Sequence, residues 1–303
     1  METRPVIDPI RPVRLYRINA GSCNGCDVEL AATAAVASFD VERLGCRYCE
    51  SPAEADIVLI SGPLTLRVKE KVLRLYGEVP EPKVTVAVGV CPISGGVFRD
   101  SYAVAGPADQ YLPVDINVPG CPPHPKAILA GIAKAAALWR ELAGCGQTLS
   151  EPAAPGSCGE GATAPFGLRG KMHFDAAACV GCRMCEHVCA GGAIRFDELG
   201  PGLRFTLWHN SCAFCGLCSH YCPTKALTVT DQWQLSHFQE DQFSLTELGF
   251  IPYIACTGCG QIMLPATPEL LRVSYRRTNL EIDRLKALCP ECRQEQSLGG
   301  IRR

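Results

Sequence analysis

The chain has 303 residues, with 29 Lys and Arg against 31 Asp and Glu and a formal charge of −2. That balance argues against a basic nucleic-acid binder and an acidic tail, while 47% hydrophobic and 20% charged residues argue against general disorder. The length suits two or three domains, and the unusual count is 20 cysteines.

No apolar run approaches the ~18 residues of a membrane-spanning helix. The N-terminal METRPVIDPIRPVRLYRINAG has neither an apolar h-region nor a small-residue cleavage site, so no secretory signal is expected. Without export, cysteines at this density point to metal or redox chemistry rather than to disulfides.

Residues 13–143 alternate strand and helix signals. Val13–Asn19 reads as a strand and the Ala-rich Asp27–Ala37 as a helix. Asp56–Ser61 is a short apolar run after a charged stretch, hence a buried strand. Leu66–Tyr76 has helical spacing, Lys83–Val90 is rich in β-branched residues, and Val114–Val118 is a further strand. Pro125–Leu142 is a long helix with Pro at its first position. The alternation predicts a parallel α/β sheet. Residues 144–171, rich in Gly, Pro, Ser and Ala, read as a linker. Residues 172–231 hold an internal repeat, 232–250 a partly helical connector, and 251–303 two further CxxC pairs.

The repeat fixes its domain. Cys179, Cys182, Cys185 and Cys189 recur after a shift of 33 as Cys212, Cys215, Cys218 and Cys222, each set followed by a short strand signal, AIRF or ALTV. This is the Cys-x2-Cys-x2-Cys-x3-Cys pattern of two-cluster ferredoxins, in which the fourth cysteine serves the other cluster. Cys179, Cys182, Cys185 and Cys222 are therefore assigned to one [4Fe-4S] cluster, and Cys189, Cys212, Cys215 and Cys218 to the second. Pro223 follows the last cysteine of the second repeat as expected; the first has Ala190 there.

A second constellation occupies the N-terminal domain. Cys23 and Cys26 follow the first strand signal, Cys91 follows KVTVAVGV, and Cys121 follows DINV. All lie at the carboxyl ends of the expected parallel strands, where strand-to-helix loops converge on ligands. Four thiolates suit one [4Fe-4S] cluster, and Gly21, Gly25, Gly95, Gly96 and Gly120 would let backbone N–H groups approach it. The residues alone leave open a blander reading, four buried thiols in loops.

In the tail, Cys256 and Cys259 with Cys289 and Cys292 form two knuckles for one tetrahedral metal, zinc or a rubredoxin-type iron. The 29 residues between the knuckles exceed usual zinc-ribbon spacing, have room for a helix over Leu270–Leu288, and lack rubredoxin's aromatic core. Cys46, Cys49, Cys145 and Cys158 remain as spare thiols. His187 and His220 occupy matching repeat positions, where each could bond a cluster sulfur or simply be solvated. Glu29 reads as an acid complementing a helix N-terminus. No protein-borne nucleophile or base stands out.

SCNGCDVEL, VGVCPISGGVFRD and VDINVPGCPPHPKAIL resemble the small subunit of group 4 membrane-bound [NiFe]-hydrogenases, relatives of the cluster subunit at the quinone end of complex I. Complex I has adjacent cysteines where Cys23 and Cys26 are separated by Asn24 and Gly25, the hydrogenase-type spacing. The resemblance implies that Cys23, Cys26, Cys91 and Cys121 hold the proximal cluster. Residues 172–295 resemble the two-cluster ferredoxin subunit of formate hydrogenlyase, which also ends in a CPEC module. The implied fold class is α/β: a flavodoxin-like parallel-sheet domain, then an α+β two-[4Fe-4S] ferredoxin domain and a small rubredoxin- or zinc-ribbon-like module.

The implied function is electron transfer, through three [4Fe-4S] clusters beside one zinc or iron, with the active site on a partner large subunit of the [NiFe]-hydrogenase type. Further implied partners are membrane-embedded antiporter-like or quinone-site-like subunits and a donor such as ferredoxin, formate dehydrogenase or carbon monoxide dehydrogenase. The implied location is peripheral, on the cytoplasmic face of the cytoplasmic membrane, consistent with the lack of the twin-arginine signal of exported uptake hydrogenases. The competing readings are a nickel-free complex I-like oxidoreductase subunit and, in another class, an iron–sulfur or zinc scaffold or interaction protein.

Overall fold

The computed structural model describes residues 11–144, 170–275 and 280–299. Cys145 and Cys158, with most of the expected linker, lie outside the described residues. The chain divides into two compact units. One gathers the chain up to Lys171 with Trp208–Cys215 and Asp231–Leu245; the other gathers Met172–Leu207, Gly216–Thr230 and the chain from Thr246 onward.

The first unit is built on five parallel strands: β1 (Val13–Asn19), β2 (Cys46–Tyr48), β3 (Ile57–Ser61), β4 (Val84–Val88) and β5 (Ile116–Val118), in the order β2-β1-β3-β4-β5. Helices α1 (Gly25–Ala35), α2 (Lys69–Gly77), α3 (Val90–Ser94) and α4 (Pro125–Leu142) intervene. β3 is central, and all five of its residues are buried. Ile57 and Leu59 join the core under α1 and α4, while Val58 and Ile60 face the other way toward Val72 of α2. A strand covered on both faces reads as a continuous apolar run, which is why its sequence shows no alternation.

Helix α4 lies close on β5 because Gly131 has no side chain; a Cβ there would overlap Val118 Cγ2. We expect Gly131→Ala to destabilise this unit by about 1–3 kcal/mol through overpacking. Trp139, Trp208 and Trp233 all belong to this unit, so tryptophan fluorescence during urea denaturation would report the loss as a lower midpoint.

Two local expectations are corrected. The helix expected from Leu66 begins at Lys69, because Leu64–Thr65 pairs antiparallel with Val104–Gly106 and Leu66 N–H bonds Ala103 O at 2.9 Å. The 232–250 connector contains a single 3₁₀ turn, Gln239–Asp241, and its His237–Phe238 adds antiparallel to β5 as the edge of the sheet. Gln239 secures that edge: its N–H bonds Asp115 O at 2.8 Å and its Oε1 accepts from Asn117 Nδ2 at 2.6 Å. A two-residue strand is too short to carry a readable period.

In the second unit, Met172–Phe174 pairs antiparallel with Leu227–Val229, and the hairpin Ile194–Leu199/Gly202–Trp208 gains Thr246–Pro252 as a third strand. Phe205, fully buried, stacks on Phe174 at 3.7 Å between centroids and meets Phe196 edge-on at 5.2 Å. Short helices Met184–His187 and Leu217–Tyr221 pack together.

The backbone repeats with the sequence. Left-handed residues occur in pairs separated by 33: Gly181 and Phe214, Arg183 and Gly216, Gly192 and Lys225. Each pair has one glycine and one larger residue, so the loops keep their shape where a side chain makes that shape costly.

Candidate metal centres

The N-terminal cysteines reach the carboxyl edge of the sheet on three loops. Cys23 lies between β1 and α1 with Cys26 in the first turn of α1; Cys91 opens α3 just after β4; Cys121 follows β5. The strand order reverses between β1 and β3, the switch point where open α/β sheets bind ligands.

These thiols are close enough to act on one another. Burial pushes Cys26 up to about 12, with the charges of Cys91, Cys121 and Cys23 adding to it. Burial also raises Cys91 to about 12, reinforced by Cys121 and Cys23. Cys121 is raised by burial, then by Cys23 and by Cys215 of the same unit. As four thiolates they would repel one another, so holding them ionised together would take a cationic centre among them.

The surrounding backbone fits such a group. Gly89, at φ +91°, could not carry a Cβ, which would stand 2.6 Å from Cys26 Sγ. A Cβ on Gly96 would lie 3.3 Å from Cys91 Sγ. The turn before Cys23 is fixed by Asn19, whose Oδ1 accepts from Gly21 N at 2.9 Å and Ser22 N at 2.8 Å. Ser22 Oγ then accepts from Asn24 N at 2.9 Å. Beside this edge, α3 holds the start of the second ferredoxin-type motif, with Ser94 Oγ donating to Asn210 O at 3.2 Å and lying 3.1 Å from Ser211 Oγ.

In the second unit Cys179, Cys182, Cys185 and Cys222 line one recess with Phe174 and Phe196, the fourth cysteine coming from the other repeat. Burial drives Cys179 to about 11 and Cys185 to about 12. Cys212 and Cys215 belong to the first unit, Cys189 and Cys218 to the second.

Backbone amides serve the sulfurs in matching places. Gly181 N and Phe214 N donate to Cys179 and Cys212 at 3.4 Å, and Ala193 N and Ala226 N to Cys189 and Cys222 at 3.2 Å. His187 and His220 are exposed.

Among the described residues, Cys256, Cys259, Cys289 and Cys292 form a group whose sulfurs all lie within 4.8 Å of one another. Cys259 and Cys289 sulfurs are 3.7 Å apart, close to the ~3.8 Å edge of a tetrahedron with ~2.3 Å metal–sulfur bonds. The strand pair Ile254–Ala255/Ile262–Met263 carries the first knuckle, and helix Pro290–Gly299 starts beside the second. Amides of Cys289 and Gly258 bond Cys256 Sγ at 3.1 and 3.3 Å, and such bonds, that of Cys289 foremost, hold this thiol down to about 6. Of the expected helix over Leu270–Leu288, the described residues show helix at Pro268–Tyr275 and Leu280–Leu285.

Cys46 opens β2 and Cys49 follows its end, and the two do not form a redox pair. Three extended steps along the chain separate their Cα atoms by roughly 10 Å, beyond disulfide reach. Their thiols donate instead to backbone carbonyls: Cys46 to Leu44 at 3.7 Å, Cys49 to Ser51 at 3.4 Å. Sequence reasoning singled out Glu29 as the acid near Cys26 but passed over Asp27, which is the buried one; its place directly after Cys26 was the available signal.

The parallel sheet, the thiol-lined edge and the four-cysteine tail site suit a metal-binding α/β protein, and similarity to known families makes it an iron–sulfur electron-transfer protein of the complex I and hydrogenase small-subunit type, with a non-catalytic role. Residues 23–135 match the NADH ubiquinone oxidoreductase 20 kDa subunit family, and residues 178–227 match the 4Fe-4S dicluster domain. The chain is 46% identical over 118 residues to a probable membrane-bound hydrogenase subunit of Pyrococcus furiosus, covering 39% of this chain and 70% of that one. It is 42% identical over 131 residues to formate hydrogenlyase subunit 7 of Escherichia coli, covering 43% and 51%. It is 44% identical over 108 residues to an NADH-quinone oxidoreductase subunit of Rubrobacter xylanophilus, covering 35% and 43%. The chain belongs, through its N-terminal domain, to the NADH ubiquinone oxidoreductase 20 kDa subunit family. No helix among the described residues is long and apolar enough to cross a membrane.

Proposed function

We propose that this chain is the electron-transfer subunit of a membrane-associated, energy-converting [NiFe]-hydrogenase complex, linking a low-potential donor to the [NiFe] site of a partner large subunit. In this reading Cys23, Cys26, Cys91 and Cys121 hold the proximal [4Fe-4S] cluster. Cys179, Cys182, Cys185 and Cys222 hold a second, and Cys189, Cys212, Cys215 and Cys218 a third. Cys256, Cys259, Cys289 and Cys292 hold structural zinc. The clusters supply one-electron chemistry; the protein supplies thiolates, amide donors to sulfur and a scaffold.

The observation that carries the reading is the convergence of four cysteines, far apart in sequence, at one edge of the sheet in a domain similar to a membrane-bound hydrogenase subunit. The strand order β2-β1-β3-β4-β5 supports calling that domain flavodoxin-like. Exposed apolar side chains on the carboxyl-side loops and the start of α1, among them Val28, Leu66, Phe98 and Tyr102, suit a surface covered by the large subunit. The 144–171 segment joins the sheet domain to the ferredoxin domain, 172–231, and the connector and metal module follow.

The test is to purify the tagged native complex without oxygen and measure nickel, iron and zinc per chain. The expected result is three clusters' worth of iron, one zinc, and nickel near one per complex. Iron without nickel would favour a complex I-like oxidoreductase, the reading to which the similarity to the NADH-quinone oxidoreductase subunit lends weight.

A further inference from the structure

A buried acid stands next to the Cys23–Cys26 loop. Asp27, 8% exposed, follows Cys26 in the first turn of α1. Its Oδ2 accepts from Asn19 Nδ2 and its Oδ1 from Ser61 Oγ, both at 3.0 Å, and Arg17 Nε lies 3.6 Å from Oδ1. An amide N–H, a hydroxyl and a guanidinium face this side chain, a set suited to a carboxylate.

Asn19 joins the acid to the loop. Its amide nitrogen holds Asp27 while its oxygen collects the N–H groups of Gly21 and Ser22. Holding a loop does not by itself need a buried charge, because an amide oxygen could accept from Asn19 Nδ2 while its N–H donated to Ser61 Oγ, without the desolvation cost of a charge. The balancing cation is weak: the Arg17 side chain is 44% exposed, so water screens it. A fixed, incompletely balanced negative charge is left one residue from a cluster ligand.

We infer that Asp27 is a positioning residue for the N-terminal cluster that also lowers its reduction potential. Through Asn19 it orders the turn ahead of Cys23, and its charge opposes the extra negative charge that arrives with one electron. Iron–sulfur potentials respond to net charge and to hydrogen bonding near the sulfurs. The inference rests on the proposed [4Fe-4S] cluster at Cys23, Cys26, Cys91 and Cys121.

The test is a redox titration of the anaerobically purified native complex, followed by electron paramagnetic resonance with viologen mediators. Cys121→Ala identifies the signal that belongs to the N-terminal site. Asp27→Asn should lower that signal's oxidised-to-reduced ratio at fixed potential about tenfold, a positive shift of ~59 mV for a one-electron couple. Arg17→Gln should move the same signal in the negative direction, and the two ferredoxin-type signals should stay in place. A purely structural role would not give opposite signs.

Unchanged potentials in both variants, or shifts of the same sign, overturn the inference and leave the cluster assignment standing. If Asp27→Asn fails to assemble, the partly exposed Arg17 decides: a negative shift in Arg17→Gln upholds the inference, and no shift overturns it. Persistence of all three signals in Cys121→Ala overturns the cluster assignment and the inference with it.

Discussion

On the proposed assignment, Cys121→Ala is expected to abolish one of three paramagnetic cluster signals and to uncouple hydrogen turnover from the external donor, while the two ferredoxin-type clusters stay reducible. Iron per chain should fall by about a third, since three four-iron clusters become two. The fold should survive. Cys121 is an exposed loop residue after β5, so truncating it leaves no core cavity of the kind that costs several kcal/mol. A cluster deprived of one of four thiolates is left with an open iron site in a region already rich in repelling negative charge. Electron paramagnetic resonance on the reduced protein, beside iron analysis, decides the matter. Retention of all three signals would show that the four N-terminal cysteines do not form one site.

The second large effect concerns the tail. Stripping its metal, or replacing Cys256 or Cys289 with serine, should unfold the module while the cluster signals persist. The reason is the size of its core. Cys256, Leu288 and Cys289 are the buried members, with Met263, Leu285 and Cys292 packed beside them. A few apolar side chains contribute about 1.5–3 kcal/mol each, whereas structural zinc contributes about 10–16 kcal/mol in small zinc-finger peptides. Metal analysis should show zinc lost in step with new protease cleavage within residues 254–299. Failure of electron transfer with the module still folded would instead identify the bound metal as a redox iron.

Much of the first unit was legible because its strands are buried on both faces and bounded by turn signals. Val13–Asn19 and Pro125–Leu142 appear with the boundaries expected from sequence. Cys23, Cys26, Cys91 and Cys121 were legible as candidates because a parallel sheet brings the ends of its strands together, so distance along the chain carried little weight. Short pairings were not legible. The ladder Leu64–Thr65/Val104–Gly106 and the strand His237–Phe238 span two or three residues a side, below the length at which alternation becomes a signal. The clamp around Asp27 was hidden for another reason. Asn19, Asp27 and Ser61 come from β1, α1 and β3, and only the sheet register, which sets Asn19 against Ser61, brings them together. In the ferredoxin-type repeat the cysteine spacing was plain, but the conformation that repeats with it was masked by Arg183, Phe214 and Lys225 standing where the other copy has glycine.

The edge strand His237–Phe238 bears on the order in which the protein is made. β5 leaves the ribosome complete at Val118, but the strand that covers its outer edge follows about 120 residues later. At about 5–20 residues per second, translation leaves that edge uncovered for roughly ten seconds. During this interval a nascent chain carries open backbone donors and acceptors that a neighbouring chain on the same message could pair with. Any shortened gene product that stops after α4 would keep that open edge for its whole lifetime.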